Sequence, residues 1–185
     1  IEAFGGDPKK VTIMGESAGA ILVACMVGSP EGKGLFTRAV SQSGAWMGLG
    51  MGKMTVREQA EANGVKMAST VGATTLAELR AKPAEEILKN GRSGGVIVDG
   101  WYVPEDLSAT FAKGKQNDVD VLIGSNKDEG TFFGGNTSTL DKWNAQAKQR
   151  FGDQADGFLK LYPASSDPEA EASRLANFRD QTAWH

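Results

Sequence analysis

The chain is nearly without cysteine and histidine: Cys25 and His185 are the single examples of each. One cysteine excludes an intramolecular disulfide, and one of each cannot build a zinc site of the usual kind. No apolar run reaches the roughly 18 residues that a membrane-spanning helix needs. There is no basic stripe, and the net charge is −3, so nucleic acid is not an expected partner. Repeats and low-complexity tracts are also missing. What remains is 185 residues, 40% hydrophobic and 23% charged, enough for one ordinary domain with a core of its own. Cys25 lies within "ILVACMV" and reads as a buried apolar residue. Residue 1 is Ile, and the chain stops at His185 inside a helix-like stretch. Both ends read as interior to a longer polypeptide. Any targeting segment is then expected upstream, and the compartment is not legible.

Apolar patterning divides the chain into alternating elements. "FGGDPKK" reads as a turn, with Gly5 ending a preceding helix. "VTIM" (11–14) reads as a short strand apolar on both faces, the pattern of a strand buried in a parallel sheet. "SAGAILVACMVG" is too long for a strand and apolar all round, which predicts a buried helix stopped by Gly28 and Pro30. A second strand is predicted near 38–42. Helices follow at about 55–70, with Thr55 as N-cap, and at 75–90, broken at Pro83. "GGVIVDGWYVP" holds a short extended segment in which Asp99 and Gly100 shape a turn. "DVDVLIGSN" (118–126) is the third clear strand. "DEGTFF" opens a short helix, and 139–151 and 167–185 look helical. Strands separated by helices imply an α/β architecture around a mostly parallel sheet.

Two segments match G-x-S-x-G, "GESAG" at 15–19 and "GRSGG" at 91–95. The bare pattern is weak, and context separates the copies. A nucleophile elbow needs a strand before the serine and a helix after it. "VTIMGESAGAILVA" has that order. "EEILKNGRSGGVIV" runs helix, loop, strand, so Ser93 reads as a solvent-exposed bystander. At an elbow the Ser17 hydroxyl projects past the C-terminal end of its strand, where open α/β sheets bind ligands. The helix N-terminus points its free N–H groups at the same spot, and the N–H of Ala18 becomes an oxyanion donor. The alternative on local pattern is a Ser17 that merely caps the helix.

"FGGDPKKVTIMGESAGA" resembles the signature of the type-B carboxylesterases, the family of cholinesterases and bacterial para-nitrobenzyl esterases. "GLFTRAVSQSGA", "VIVDGWYVP" and "VLIGSNKDEGTFF" resemble later blocks of that family in the right order, although the proline that often precedes the aspartate-glycine pair is absent. The resemblance runs from residue 1 to about 135; residues 136–185 resemble the family only in being helical. It implies that residues 1–185 are part of an α/β-hydrolase domain. Within it, 1–135 form the core, with elbow and acid, and 136–185 a helical region. The implied activity is carboxylic ester hydrolysis by a Ser-His-Glu triad through an acyl-enzyme, with no cofactor and no metal. The expected partner is a small-molecule carboxylic ester, and the rest of the same polypeptide or a complementary chain is expected to complete the fold.

The resemblance places the nucleophile on Ser17 and the triad acid on Glu129, the second carboxylate of "DEG". On residues alone Glu129 reads as a first-turn helix charge, and Asp128 reads as the cap of the following helix. The family's histidine lies farther downstream, in a glycine-containing block that "FRDQTAWH" does not match. The base is therefore expected outside this chain, with His185 a solvent-exposed or packing residue. The remaining oxyanion donors come, in this family, from a glycine-rich loop well upstream of the elbow, also outside the chain. Glu16 resembles the family's buried acidic neighbour of the active site, whose charge could tune the base; a structural hydrogen-bond partner is the alternative. Ser43 resembles a second serine that hydrogen-bonds near the acid. Trp46 could line the acyl pocket or belong to the core. "GLGMGKMT" (48–55) has the look of a phosphate loop, but Met47 stands where the Walker spacing needs glycine, and no strand feeds a helix there. A catalytically inactive, cholinesterase-like adhesion domain is the competing reading. Such relatives usually lack the elbow serine, which is intact here.

Overall fold

The computed structural model describes residues 1–44, 54–91, 95–132 and 138–183. Its centre is a three-stranded parallel sheet. The strands are β1 (Thr12–Glu16), β2 (Arg38–Gln42) and β5 (Asp120–Gly124), in the spatial order β1-β2-β5. The register pairs Met14 with Val40 and Val40 with Leu122, and it continues to Glu16, Gln42 and Gly124 at the C-terminal rim. Helix α1 (Ala18–Gly28) lies on one face of this sheet. Ile13, Ala39 and Ser41 face it, and Ala39 and Ser41 are buried beneath it. With Val23, Ala24, Cys25 and Val27 of α1, and with Phe36, Val103 and Leu107, they make the core. Burial pushes the Cys25 thiol pKa up, as expected for an unreactive core cysteine.

Helix α1 is apolar all round because it is covered on more than one side. Leu107, from α5 (Leu107–Ala112), packs so closely that a Cβ on Gly28 would come within 2.6 Å of its Cδ2. Asn117 closes the C-terminal end of α1. Its N–H donates to Val27 O at 2.8 Å, and its side-chain amide donates to Ser29 O at 2.8 Å and Met26 O at 3.2 Å. Those carbonyls lie where a helix end leaves acceptors without partners. The same residue therefore ends one helix and starts the approach to β5.

Between β2 and β5 the chain makes an excursion. It contains β3 (Thr55–Val56) paired in parallel with β4 (Ile97–Val98), and the helices α2 (Arg57–Thr70), α3 (Leu76–Arg80) and α4 (Ala84–Asn90). Thr55 is therefore the first residue of a short strand and not the cap of α2, whose N-cap is Val56 without a side-chain bond. Tertiary pairing with Ile97 overrides the local preference of a threonine for the cap. At Thr75 the local signal holds: a capping box joins Thr75 and Glu78 at the start of α3. Asp99 accepts from the N–H groups of Trp101 and Val103, and Gly100 has φ +77°, the tight turn expected there.

Beyond β5, a 3₁₀ turn at Glu129–Thr131 leads to α6 (Leu140–Phe151), α7 (Ala155–Leu161) and α8 (Asp167–Ala183). Phe151, Phe158, Tyr162 and buried Trp143 stack between α6 and α7, and the Trp143 ring N–H donates to Tyr162 O at 3.2 Å. Helix α8 packs against the 3₁₀ turn. No helix among the described residues is long and apolar enough to cross a membrane.

The strand predicted at 11–14 forms at 12–16, starting one residue later and ending two later, and it is covered on one face only, where Ile13 and Gly15 are half-buried. Met14 and Leu122, on the face away from α1, are each 67% exposed.

Candidate active site

Ser17 stands at the single-residue join between β1 and α1. Its backbone has φ +54° and ψ −117°, a region that costs a non-glycine residue about 1–3 kcal/mol. Neighbouring contacts hold it there. The Ser17 N–H donates to Gln42 O at 2.9 Å, extending the β1–β2 ladder one residue past the strand. Its carbonyl accepts from Ala20 and Ile21 at 3.0 and 3.2 Å, which starts the helix. The reversal brings the helix onto the strand so tightly that a Cβ on Gly15 would lie 2.3 Å from the Gly19 carbonyl. Although Ser17 occupies the N-cap position, its side chain makes no capping bond. The hydroxyl is exposed, and Ala18 begins the helix, where first-turn N–H groups have no intrahelical acceptor.

The end of β2 repeats the device. Ser43 has φ +55°, and with Ser17 it completes the non-glycine residues of positive φ among those described. Its N–H donates to Gly124 O at 2.8 Å, tying β2 to the end of β5. Gly44 then passes under the elbow, where a Cβ would lie 2.3 Å from Ala20 Cβ and 3.0 Å from Ser17 O. The sequence points to Ser43 and not to Gly44. The close approach depends on two segments that meet only in the folded sheet.

Glu129 sits on the same rim, past the end of β5. Its Oε1 accepts the Ser43 hydroxyl, the Asn126 backbone N–H at 2.8 Å and the Asn126 side-chain amide at 3.2 Å. The Ser43 bond, followed by the Asn126 N–H, holds the Glu129 carboxyl below the ordinary carboxylate range against partial desolvation. Strands in a sheet lie about 4.8 Å apart, so the ends of β1 and β5, separated by β2, stand about 10 Å apart.

Helix α8 supports the turn that carries Glu129. A Cβ on Gly130 would lie 2.8 Å from Leu175 Cδ2 and 3.3 Å from Phe178 Cβ, and Arg174 reaches the Gly130 carbonyl at 3.5 Å. Arg174 is fixed in turn by Glu171, which also accepts the Ser138 N–H at 2.8 Å. Asp128 was expected to cap this turn with its side chain. It holds the N-cap position, but its carbonyl is the acceptor there, from both the N–H and the hydroxyl of Thr131. Glu16 was expected to be buried beside the site; its side chain is exposed at the end of β1. It lines an open cleft of ≈ 450 Å³ with Gln42, Ser43, Gly124 and Asn126. Trp46, Ser93 and His185 lie outside the described residues. No group of three or more His, Cys, Asp or Glu among the described residues is arranged to hold a metal ion.

A strained serine between a parallel strand and a helix, sharing its rim with a hydrogen-bonded carboxylate, is the arrangement that known relatives can place. Residues 1–179 match the profile of the carboxylesterase family. The chain belongs to the carboxylesterase family. The match extends past residue 135, where the residues by themselves resemble the family only in being helical. The chain is 35% identical to the fumonisin B1 esterase of Sphingopyxis macrogoltabida over 97% of its own length and 34% of that protein. It is 31% identical to the para-nitrobenzyl esterase of Bacillus subtilis (strain 168) over 72% of its length and 29% of that protein. It is 35% identical to the cholinesterase of Mus musculus over 72% of its length and 24% of that protein. Among solved structures, a PNB esterase superposes with a TM-score of 0.72 at 27% identity, covering 98% of this chain and 41% of that one. The fold is that of the α/β hydrolases. The chain thus spans between 24% and 41% of the length of these relatives.

Proposed function

We propose that this chain carries the nucleophile, the acid and one oxyanion donor of a serine carboxylesterase. The observation that carries the proposal is the backbone of Ser17: a positive φ stored at a strand-to-helix turn, with the hydroxyl free of any capping role. Glu129, bonded to Ser43 on the same rim, is the acid that orients the base. The base itself is an imidazole supplied by polypeptide outside these 185 residues, as are the remaining oxyanion donors.

In the proposed reaction the imidazole takes the Ser17 hydroxyl proton as Oγ bonds to the ester carbonyl carbon. Glu129 stabilises the imidazolium that forms. The carbonyl oxygen becomes an oxyanion at the N-terminus of α1, where the Ala18 N–H donates to it and the helix dipole favours negative charge. The imidazolium returns its proton to the departing alcohol oxygen, the C–O bond breaks, and an acyl-serine remains. Water then repeats the sequence, releasing the acid and restoring Ser17. Every step is proton transfer and acyl transfer, so substrates are carboxylic esters.

The test is turnover of a short-chain para-nitrophenyl ester by the protein as its gene encodes it. The expected result is a burst of nitrophenol followed by steady turnover, with Ser17→Ala reduced to background. Equal turnover by wild type and Ser17→Ala overturns the proposal.

A further inference from the structure

Glu129 is held by one oxygen. Three donors converge on Oε1: the Ser43 hydroxyl, the Asn126 N–H at 2.8 Å and the Asn126 side-chain amide at 3.2 Å. A carboxylate offers about four lone-pair sites over its two oxygens, so three donors on one oxygen fill it and leave the other open. Two of the three donors belong to one residue. Asn126 lies two residues past the end of β5, and the following 3₁₀ turn brings the Glu129 side chain back over it. Because the acceptor is an ionised carboxylate, the amide must present its NH₂ side, which fixes its orientation.

We propose that Asn126 is a positioning residue for the acid: by filling Oε1 together with Ser43 it reserves Oε2 of Glu129 for the N–H of the catalytic imidazole. This rests on the acid role proposed above for Glu129. The terminal torsion of a glutamate is broad, so a carboxylate held at a single point can swing and offer either oxygen. The Ser43 bond is one such point. The Asn126 pair adds two more from Glu129's own loop, across from Ser43, and removes that freedom. A donor is essential here, because an acceptor of the same shape would face the carboxylate with like charge. The other charged groups around the turn are Lys127 and Asp128 on it, Glu16 across the cleft and the Glu171–Arg174 pair of α8, and none of them donates to Glu129.

The experiment compares Asn126→Asp, Asn126→Ala and Asn126→Ser in the protein as its gene encodes it. Titration of the Glu129 carboxyl is followed by carbon-13 NMR with labelled glutamate, assigned through Glu129→Gln. Asn126→Asp is isosteric but reverses the hydrogen-bonding sense, and the midpoint for Glu129 is expected to rise. Asn126→Ala is expected to raise it less, because the backbone N–H remains, and Asn126→Ser, which keeps a donor, less again. Loss of a hydrogen bond to a charged group predicts a kcat about tenfold lower in Asn126→Ala, with KM unchanged. Asn126→Asp should fall further. A merely structural loop residue would alter the unfolding temperature and leave the Glu129 midpoint where it was; that result overturns the inference. If Ser17 proves unreactive in the wild type, the hydrolase reading fails by itself. The titration then still decides whether Asn126 sets the carboxyl, with a rise supporting the hold and no rise ending it.

Discussion

At the scale of single residues, the site stores strain where chemistry needs reach. Ser17 pays a backbone cost to lift its hydroxyl clear of the sheet, so glycine, which adopts φ > 0 freely, should fit better. Ser17→Gly is expected to stabilise the fold by about 1 kcal/mol, the relieved strain less the added freedom of the unfolded chain. Ester turnover should vanish with it. Denaturant unfolding beside an esterase assay checks both; a destabilised glycine variant would mean the serine is not strained. Glu129 gives a prediction in pH. Its folded-state pKa is depressed by Ser43 and Asn126, so its bonds stabilise the fold above the unfolded carboxylate value of about 4.3. That contribution is lost as pH falls through the lower folded value. Glu129→Gln should therefore flatten the acid limb of the stability curve. It should also lower kcat by on the order of 10³–10⁴, because a neutral amide cannot hold the imidazole in its working tautomer.

At the scale of elements, the sheet rim and α1 form one unit closed by small residues. Gly15 touches the Gly19 backbone, which cannot yield as a side chain can. Gly15→Ala is expected to cost 3 kcal/mol or more, since about 1–3 kcal/mol already attends overpacking against side chains. Thermal unfolding measures it, and a neutral alanine would contradict the close strand–helix packing. How far these elements were legible from sequence follows their length and locality. Helix α1, β2 and the long terminal helices announce themselves by apolar patterning that no neighbour overrides. The short helices α5 and α7 went unread, because six or seven residues carry too little periodicity to stand out. β3 was read as helix because two residues become a strand only through their partners in β4. Within the site, Ser17 and Glu129 were legible through motif order and family resemblance. The positive φ of Ser43, the tight passage of Gly44 and the grip of Asn126 were not. The first two depend on register across β1, β2 and β5, and the Ser43–Glu129 bond joins positions 86 residues apart; the Asn126 bonds are local, within the loop after β5, and leave no periodic pattern in the sequence.

At the scale of the whole molecule, the surface is the informative quantity. The chain exposes 12498 Å², whereas a folded monomer of its mass, 19.5 kDa, exposes about 8,500 Å². Part of the excess lies on the sheet face opposite α1, where Met14 and Leu122 stand open to solvent. We therefore expect further polypeptide to cover that face in the protein as its gene encodes it. Made alone, the 185-residue chain should self-associate, as measured by sedimentation, and should hydrolyse no ester. A monomeric and active 185-residue chain would contradict this. The central claim, that the strained hydroxyl at residue 17 is the nucleophile, is tested most directly by mapping a covalent adduct. The protein as its gene encodes it is treated with a fluorophosphonate, digested and sequenced by mass spectrometry. The account predicts one phosphonyl group on Ser17, in the peptide carrying "GESAG", and a sharp loss of labelling in Glu129→Gln. An adduct on any other serine, or none at all, would contradict it.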